Sequence, residues 1–245
     1  MAHLKNDNVI RIGSYSVTVI SRLAEGGFGF VDLVTDNQSH SELILKRCGI
    51  SRERDFQIAN KEISLLQKFS GPYVVKLLGT DIQNRAMKKE AILLLEYCSG
   101  GHLLNLLNKR NGSPLPITES LRLFGQLLLA LKPMHESLPP WTHRDLKLEN
   151  VLIGVDGNVR LCDFGSCVEG YIPLTNASER SDAEEVIEKE TTQMYRAPEM
   201  IDLYMRTELT EKTDIWALGC ILYALCFLTH PFQDAGSLGI LRCLT

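Results

Sequence analysis

The sequence predicts an α+β fold in which a β-rich N-terminal lobe precedes a mainly helical C-terminal lobe. The first observation is a set of short apolar or alternating runs in the first third of the chain, which is typical of strands. The second is a change to helical spacing after Gly100 and Gly101. The length of 245 residues agrees, because it suffices for one large domain or two closely packed lobes.

The first lobe is predicted to contain five strands and one helix. The strands cover residues 15–23, 30–34, 43–45, 74–78 and 91–95. We expect the third strand to end at Lys46. Apolar residues at helical spacing predict a helix over 55–69, which Gly71 and Pro72 end.

The second lobe begins with a long predicted helix. Thr118 is its candidate N-cap, and Pro133 is expected to bend or end it early. The side chains predicted on its inner face are Leu121, Phe124, Leu128, Leu131 and His135. A second, buried helix is predicted over the apolar stretch 215–228, which is too short for a membrane span.

Composition and termini exclude several classes of protein. A net charge of −4 provides no basic excess for binding nucleic acid. Seven cysteines without a C-x-x-C pair indicate buried thiols of a reducing compartment. Residues 1–13 lack the apolar core of a signal peptide, and Ala2 rules out myristoylation. We therefore expect a cytoplasmic protein with no transmembrane segment, and its oligomeric state stays open.

The run from His143 to Asn150, followed by Asp163-Phe164-Gly165, carries the chemistry of phosphoryl transfer. Asp145 can accept the proton of an attacking hydroxyl, and Lys147 can meet the charge on the γ-phosphoryl group. Asn150 and Asp163 can hold Mg²⁺ against the phosphates of ATP. The run and the second motif, in this order, resemble those of protein kinases.

Two features of the first lobe fit this chemistry but are weak alone. The glycine-rich turn from Leu23 to Val31 can bring backbone N–H groups to phosphates, although a plain hairpin is an equally good interpretation. Lys46 suits the α- and β-phosphates if Glu62 holds it in place, although both are usually solvated side chains.

The kinase resemblance covers about residues 23–232 and implies further site residues. It implies a hinge at 96–101, with Leu95 as gatekeeper and the backbone of Glu96 and Cys98 binding adenine, although a loop after a core strand explains this segment equally well. The implied ATP-binding residues are Leu23, Ala24, Gly26, Gly29, Val31, Ile44, Lys46, Leu95, Glu96, Cys98, Leu152 and Asp163. Ala24 and Ile44 depart from the general kinase pattern, which has Gly and Ala there.

The segment from Asp163 to Glu199 resembles a protein-substrate platform. Thr192 and Tyr195 are implied to shape that platform, while Glu199 and Asp214 are implied to support the site. Thr191 and Ser181 are candidate phosphorylation sites, and Arg144 suggests that a phosphate on this segment steadies the active form. The acidic stretch 179–190 is predicted to be a solvated, mobile part of the loop.

Finer motifs are similar to the numb-associated kinases, which include the adaptor-associated and cyclin-G-associated kinases. These motifs are residues 23–28, 162–166, 191–200 and 202–204. The resemblance implies phosphorylation of serine or threonine, often on clathrin-adaptor subunits. Phosphorylation of such substrates would place the protein at the periphery of membranes. It also implies an extra helix after Ala197-Pro198-Glu199, for which residues 200–207 are the candidate.

The predicted organisation is therefore an extension at 1–13 and a kinase domain at 14–245. Within the domain, the sequence predicts an N-lobe at 14–95, a hinge at 96–101 and a C-lobe at 102–245 that lacks its last helices. We expect this shortening to expose apolar parts of Trp216, Leu222 and Phe227. A non-catalytic module that binds nucleotide or protein is the alternative, and a small-molecule kinase is a third hypothesis.

Overall fold

A computed structural model describes residues 9–26, 29–85, 88–233 and 236–242. The chain divides into two compact units. The first consists of Met1–Gly71 and Val75–Cys98, and the second of Pro72–Val74 and Ser99–Thr245. The change of unit after Cys98 lies in the segment predicted as a hinge. The β-rich first part and the helical second part confirm the predicted fold class.

The first unit is a six-stranded antiparallel sheet with one helix. Its elements are β1 (Val9–Ile12), β2 (Tyr15–Gly26), β3 (Gly29–Asp36), β4 (Glu42–Ile50), α1 (Glu53–Lys68), β5 (Leu77–Arg85) and β6 (Lys88–Glu96). The strand order is β1-β2-β3-β4-β6-β5. The core side chains are Ile10, Ile12, Val17, Val34, Leu43, Leu45, Ile92 and Leu94. They lie on one face because successive strand residues alternate between faces.

Each of the five predicted strands differs from the observed one in at least one boundary, as β4 and β5 illustrate. Strand β4 continues four residues beyond Lys46 to Ile50, because it pairs along that whole length with β6 on one side. Strand β5 begins at Leu77, and Val74 instead forms an isolated bridge with Leu161. Strand β1 lies inside the segment 1–13 that the sequence analysis assigned to an extension. Residues 1–8 of that segment lie outside the described residues.

The second unit is built mainly from helices, with three small two-stranded sheets. In chain order it contains α2 (Leu103–Asn108), α3 (Ile117–His135), β7 (Trp141–Thr142), β8 (Val151–Ile153), β9 (Val159–Leu161), β10 (Val168–Glu169), β11 (Ile172–Pro173), α4 (Ala177–Glu190), α5 (Pro198–Ile201), β12 (Glu208–Leu209), α6 (Lys212–Phe227) and α7 (Gly236–Arg242). The sheets pair β7 with β10, β8 with β9 and β11 with β12.

The predicted ends of α3 are wrong, and its predicted inner face is right only in part, since Leu131 is buried and Phe124 and His135 are half-buried. Leu121 and Leu128 are exposed, whereas the buried side chains are Ser120, Leu123, Leu127, Ala130, Leu131 and Met134. Leucines occur on more than one side of this helix, so spacing alone does not identify the side that packs. Pro116, not Thr118, is at the N-cap. Pro133 lies in the last turn, where few backbone hydrogen bonds follow it, and the helix continues to His135.

Two predictions for the segment after Asp163 are also wrong. The acidic stretch 179–190 is part of helix α4, which buries Ala183 and Ile187 four residues apart. Its Asn176 N-cap accepts a hydrogen bond from the backbone N–H of Glu179 at 3.0 Å. The predicted helix at 200–207 is absent, since within it only the end of α5, at residues 200 and 201, is helical.

The apolar helix predicted at 215–228 corresponds to α6, which begins three residues earlier. Phe227 on it is 63% exposed, while Trp216 is half-buried and stacks on Phe232 with ring centroids 5.6 Å apart. Within the described ranges, we find no helix with the length and apolarity needed to cross a bilayer.

Candidate functional site

The first unit contributes an ion pair between strand β4 and helix α1. The Nζ of Lys46, in β4, lies 2.6 and 2.8 Å from the two carboxylate oxygens of Glu62 in α1. The Glu62 side chain is 4% exposed and that of Lys46 is 21% exposed. A buried carboxylate that binds the lysine in this way holds the ammonium group at one position.

The glycine-rich turn joins β2 to β3. Gly26 ends β2 and Gly29 begins β3, while residues 27 and 28 lie outside the described residues. Gly29 has a φ of +137°, and a Cβ atom there would collide with the carbonyl oxygen of Arg47. Only glycine fits this close approach of two strands. Leu23 and Ala24 are exposed on β2, and Val31 is half-buried opposite Ala24 on β3.

Most residues assigned to the adenine region lie on the neighbouring strands β4 and β6. Ile44 on β4 is paired with Leu95 on β6, which is 8% exposed. Glu96 ends β6, and its backbone N–H donates to the carbonyl of Lys76 at 3.0 Å. Cys98 is buried at the end of the unit.

In the second unit, Asp145 is the centre of a hydrogen-bond cluster. Lys147 Nζ donates to Asp145 Oδ2 at 2.7 Å, and Thr192 Oγ1 donates to Asp145 Oδ1 at 2.7 Å. Lys147 Nζ also donates to Thr192 Oγ1 at 3.0 Å. These contacts join the catalytic run to the segment before Ala197-Pro198-Glu199, and they bring together three residues that the sequence analysis singled out.

Asn150 is suited to bind a cation through its amide oxygen. Its Nδ2 donates to the Asp145 carbonyl at 2.8 Å and to Asp145 Oδ2 at 3.1 Å, so the amide orientation is set. The backbone N–H of Cys162 donates to the Asn150 carbonyl at 3.0 Å, which joins the residue before Asp163 to Asn150. An amide oxygen and a carboxylate are ligands that Mg²⁺ accepts, so the residues present fit this ion.

The backbone around these groups is strained and is held by α6. Arg144 and Asp163 both adopt positive φ, at 68° and 63°. Asp214, 1% exposed, accepts hydrogen bonds from the backbone N–H groups of His143 at 2.8 Å and Arg144 at 2.9 Å. Phe164, fully buried, packs edge-on against the His143 ring at 5.4 Å. Leu152, the remaining predicted nucleotide contact, is half-buried on β8.

The predicted platform residue Tyr195 and the predicted support residue Glu199 lie near the end of the substrate segment. Tyr195 is 7% exposed and its hydroxyl accepts a hydrogen bond from the backbone N–H of Leu148 at 3.4 Å. Burial raises the pKa of the Tyr195 phenol well above its ordinary value. The Tyr195 ring packs edge-on against His230 at 4.5 Å. Glu199 is half-buried on α5.

Sequence reasoning missed one contact of the catalytic run and one contact of Asp214, which holds the backbone of that run. His135, assigned to an apolar face, has its Nε2 2.8 Å from Asp214 Oδ2. Arg144, expected to bind a phosphate, instead pairs with Glu190 at 2.6 Å. Glu190 ends a run of acidic residues, and nothing in its spacing distinguishes it from its solvated neighbours.

The chain is similar to known proteins over nearly its full length. Residues 17–242 match the family model described as the protein kinase domain. Two probable serine/threonine-protein kinases of Dictyostelium discoideum are 41% and 42% identical to it, over 95% and 96% of this chain. Serine/threonine-protein kinase ppk30 of Schizosaccharomyces pombe is 36% identical over 95% of this chain.

The three relatives are much longer than this chain. The matched regions span 21% and 29% of the two Dictyostelium proteins and 25% of the yeast protein. The similarity therefore concerns one domain of each relative. The family match and the arrangement of residues around Asp145 agree, and we conclude that the chain belongs to the protein kinase family.

Proposed function

We propose that the chain is a protein serine/threonine kinase, which transfers the γ-phosphate of ATP to a hydroxyl group of a protein. The observation that carries the proposal is the cluster in which Lys147 and Thr192 both bind the carboxylate of Asp145. These contacts orient the Asp145 carboxylate, which can accept the proton of a hydroxyl group, and place the Lys147 ammonium beside it. Phosphoryl transfer to an alcohol requires both groups.

In this proposal Asp145 orients the substrate hydroxyl and accepts its proton. Lys147 lies beside that carboxylate, so its ammonium stabilises negative charge that develops on the phosphoryl group. Asn150 and Asp163 would hold Mg²⁺, which neutralises charge on the phosphates when it is bound. Hydrogen bonds already join Lys147 and Asn150 to Asp145, so we expect little reorganisation of these three side chains during the reaction.

The first unit would bind the nucleotide. Lys46, held by Glu62, supplies a positive charge for the α- and β-phosphates. We assign the turn at Leu23, Ala24, Gly26, Gly29 and Val31 to the phosphates. We assign Ile44, Leu95, Glu96 and Cys98 to the adenine, and Leu152 stays a predicted nucleotide contact. The larger Ile44 side chain, where kinases have alanine, should narrow the roof of this pocket.

The finer assignment concerns the acceptor. The names of the relatives support serine or threonine as the target, and the contact of Thr192 with Asp145 agrees. The motifs at 162–166 and 191–200 support membership of the numb-associated group and, with it, clathrin-adaptor subunits as substrates in the cytoplasm near membranes. We propose Tyr195 and Thr192 as the platform for the acceptor segment, and Glu199 and Asp214 as its support.

A phosphate-transfer assay with Mg-ATP and a mixed serine and threonine peptide library tests the activity. We expect transfer by the wild-type chain and its loss in Asp145→Asn and Asp163→Asn. Asp182→Asn, an exposed change on α4, is the matched control and should leave transfer unchanged. Equal incorporation by wild type and Asp163→Asn would refute the proposal.

Thermal melting, compared with the transfer assay, separates the proposed kinase from a binding module without turnover. Mg-ATP at saturating concentration should raise the melting temperature of a protein that binds it. Stabilisation without transfer in the wild type would favour the binding module. Transfer to small alcohols in place of peptides would favour a small-molecule kinase.

A further inference from the structure

The C-terminal end of α4 is joined to the catalytic run by an ion pair with little exposure to solvent. Arg144 Nη2 lies 2.6 Å from Glu190 Oε2, and the two side chains are 5% and 16% exposed. Arg144 directly precedes Asp145 and adopts a positive φ. A side chain at a strained position needs contacts that hold it, because such a backbone conformation is costly for any residue except glycine.

Ser166 connects the same two elements to the segment that starts at Asp163. Arg144 Nε donates to the Ser166 carbonyl at 2.7 Å, and Ser166 Oγ donates to the Glu190 carbonyl at 2.8 Å. The three residues therefore form a closed ring of contacts. This ring joins the residue before the proposed base, the segment that follows the proposed metal ligand, and the last residue of α4.

The position of Glu190 is itself set by the packing of α4. Ile187, one turn earlier, is buried in an apolar cluster with Ala183 and Met200. Arg196 donates from Nη2 to the Ile187 carbonyl at 3.2 Å and to the Thr191 carbonyl at 3.1 Å. An arginine that binds the last carbonyls of a helix also opposes the negative end of its dipole.

We propose that Glu190 is a positioning residue for phosphoryl transfer, whose carboxylate supplies the negative charge that Arg144 needs to hold the catalytic run. The unphosphorylated chain would then have an ordered segment from Asp163 to Glu199, without a phosphate on Thr191 or Ser181. This inference rests on the proposed kinase function, but its structural half does not.

Three forms of the full chain test the structural half: wild type, Glu190→Gln and the control Glu185→Gln. Glu185 is exposed on the same helix, so its substitution removes one acidic charge without touching Arg144. Amide hydrogen exchange needs no activity. We expect faster exchange over residues 166–191 in Glu190→Gln only. Equal exchange rates in the three forms would overturn the proposal whether or not the chain is a kinase.

Steady-state kinetics test the functional half on protein shown by mass spectrometry to carry no phosphate. We expect kcat to fall about tenfold or more in Glu190→Gln, since a charge with little solvent exposure loses its partner. KM for ATP should change less than threefold, because neither Arg144 nor Glu190 is among the residues assigned to the nucleotide. An unchanged kcat in Glu190→Gln, with faster exchange, would show that the ordering does not matter for transfer.

A charge-restoring variant separates positioning from simple packing. Glu190→Ser should lose activity, and the same position filled by phosphoserine, introduced during translation, should recover most of it because the phosphate can bind Arg144. Failure of phosphoserine to exceed serine would overturn the charge argument. A wild-type chain without transfer would refute the proposed function, and the exchange comparison would then decide alone whether Glu190 orders the segment.

Discussion

Replacing Asp214 by asparagine should destabilise the second unit, because one amide cannot replace both oxygens of the carboxylate. Oδ1 accepts the backbone N–H of Arg144, while Oδ2 accepts that of His143 and also lies 2.8 Å from His135 Nε2. Asparagine has one oxygen and one NH₂ group. Whichever way the amide turns, one buried backbone N–H loses its acceptor and faces another donor.

The magnitude follows from these two bonds. A buried donor without an acceptor costs about 1–3 kcal/mol. The remaining bond changes from an ionised to a neutral acceptor, which weakens it by about 1 kcal/mol. The expected loss is therefore roughly 2–4 kcal/mol of unfolding free energy, a large part of the roughly 5–15 kcal/mol of an ordinary domain.

Tryptophan fluorescence during urea unfolding measures this loss. Both tryptophans of the chain, Trp141 and Trp216, lie in the second unit, so the signal reports on that unit. The matched control is Asp182→Asn, which removes one exposed carboxylate from α4. If Asp214→Asn unfolds within about 0.5 kcal/mol of the control, the two hydrogen bonds are not stabilising and the reasoning is wrong.

Three further outcomes are expected. Thr192→Val removes a hydroxyl that contacts both Asp145 and Lys147, so kcat should fall about tenfold. Thr192→Ser keeps the hydroxyl and should retain most activity in the same peptide assay. Burial lowers the pKa of His230 to about 4 from its ordinary 6.5, so between those values the unfolded chain binds a proton that the folded chain does not. The contribution of His230 to the unfolding free energy should thus be constant above pH 6.5 and fall on acidification by at most about 3 kcal/mol. Urea midpoints should show a weaker fall in His230→Gln but not in the exposed control His40→Gln. Identical pH curves would contradict the assignment. Gly29→Ala should loosen the sheet of the first unit, since its Cβ would overlap the backbone of the neighbouring strand; faster amide exchange in β3 and β4 is the readout, with the unobstructed Gly49→Ala as control.

Short-range relationships were predictable from the sequence, and long-range ones were not. Asp145, Lys147 and Asn150 lie within six residues, so the local backbone alone brings them near one another. Lys46 and Glu62 were paired only because the downstream motifs require such a pair. The Arg144–Glu190 contact spans 46 residues, and no local pattern encodes it.

Errors in the helices have two physical causes. On α3, leucines occupy several faces, and the packing partner decides which side is buried: Ser120 donates to the Leu225 carbonyl of α6 at 3.3 Å, whereas Leu121 is exposed. On α4, the many charged residues led to the prediction of a solvated loop. Two buried apolar residues, one N-cap and two arginines at its far end are enough to stabilise a helix there. Charge content alone was therefore a poor guide to order.

The helical state of residues 177–190 also decides when the entropy of ordering this segment is lost. Fixing one residue of backbone costs about 1–2 kcal/mol. If the segment were disordered, this cost would reduce the free energy of binding each time a protein substrate bound. Its apparent affinity would fall in proportion to the small competent fraction of molecules. In this chain the loss occurs once, during folding. We expect the competent fraction to be near one, so substrate affinity should depend on the contacts made and not on a prior conformational equilibrium.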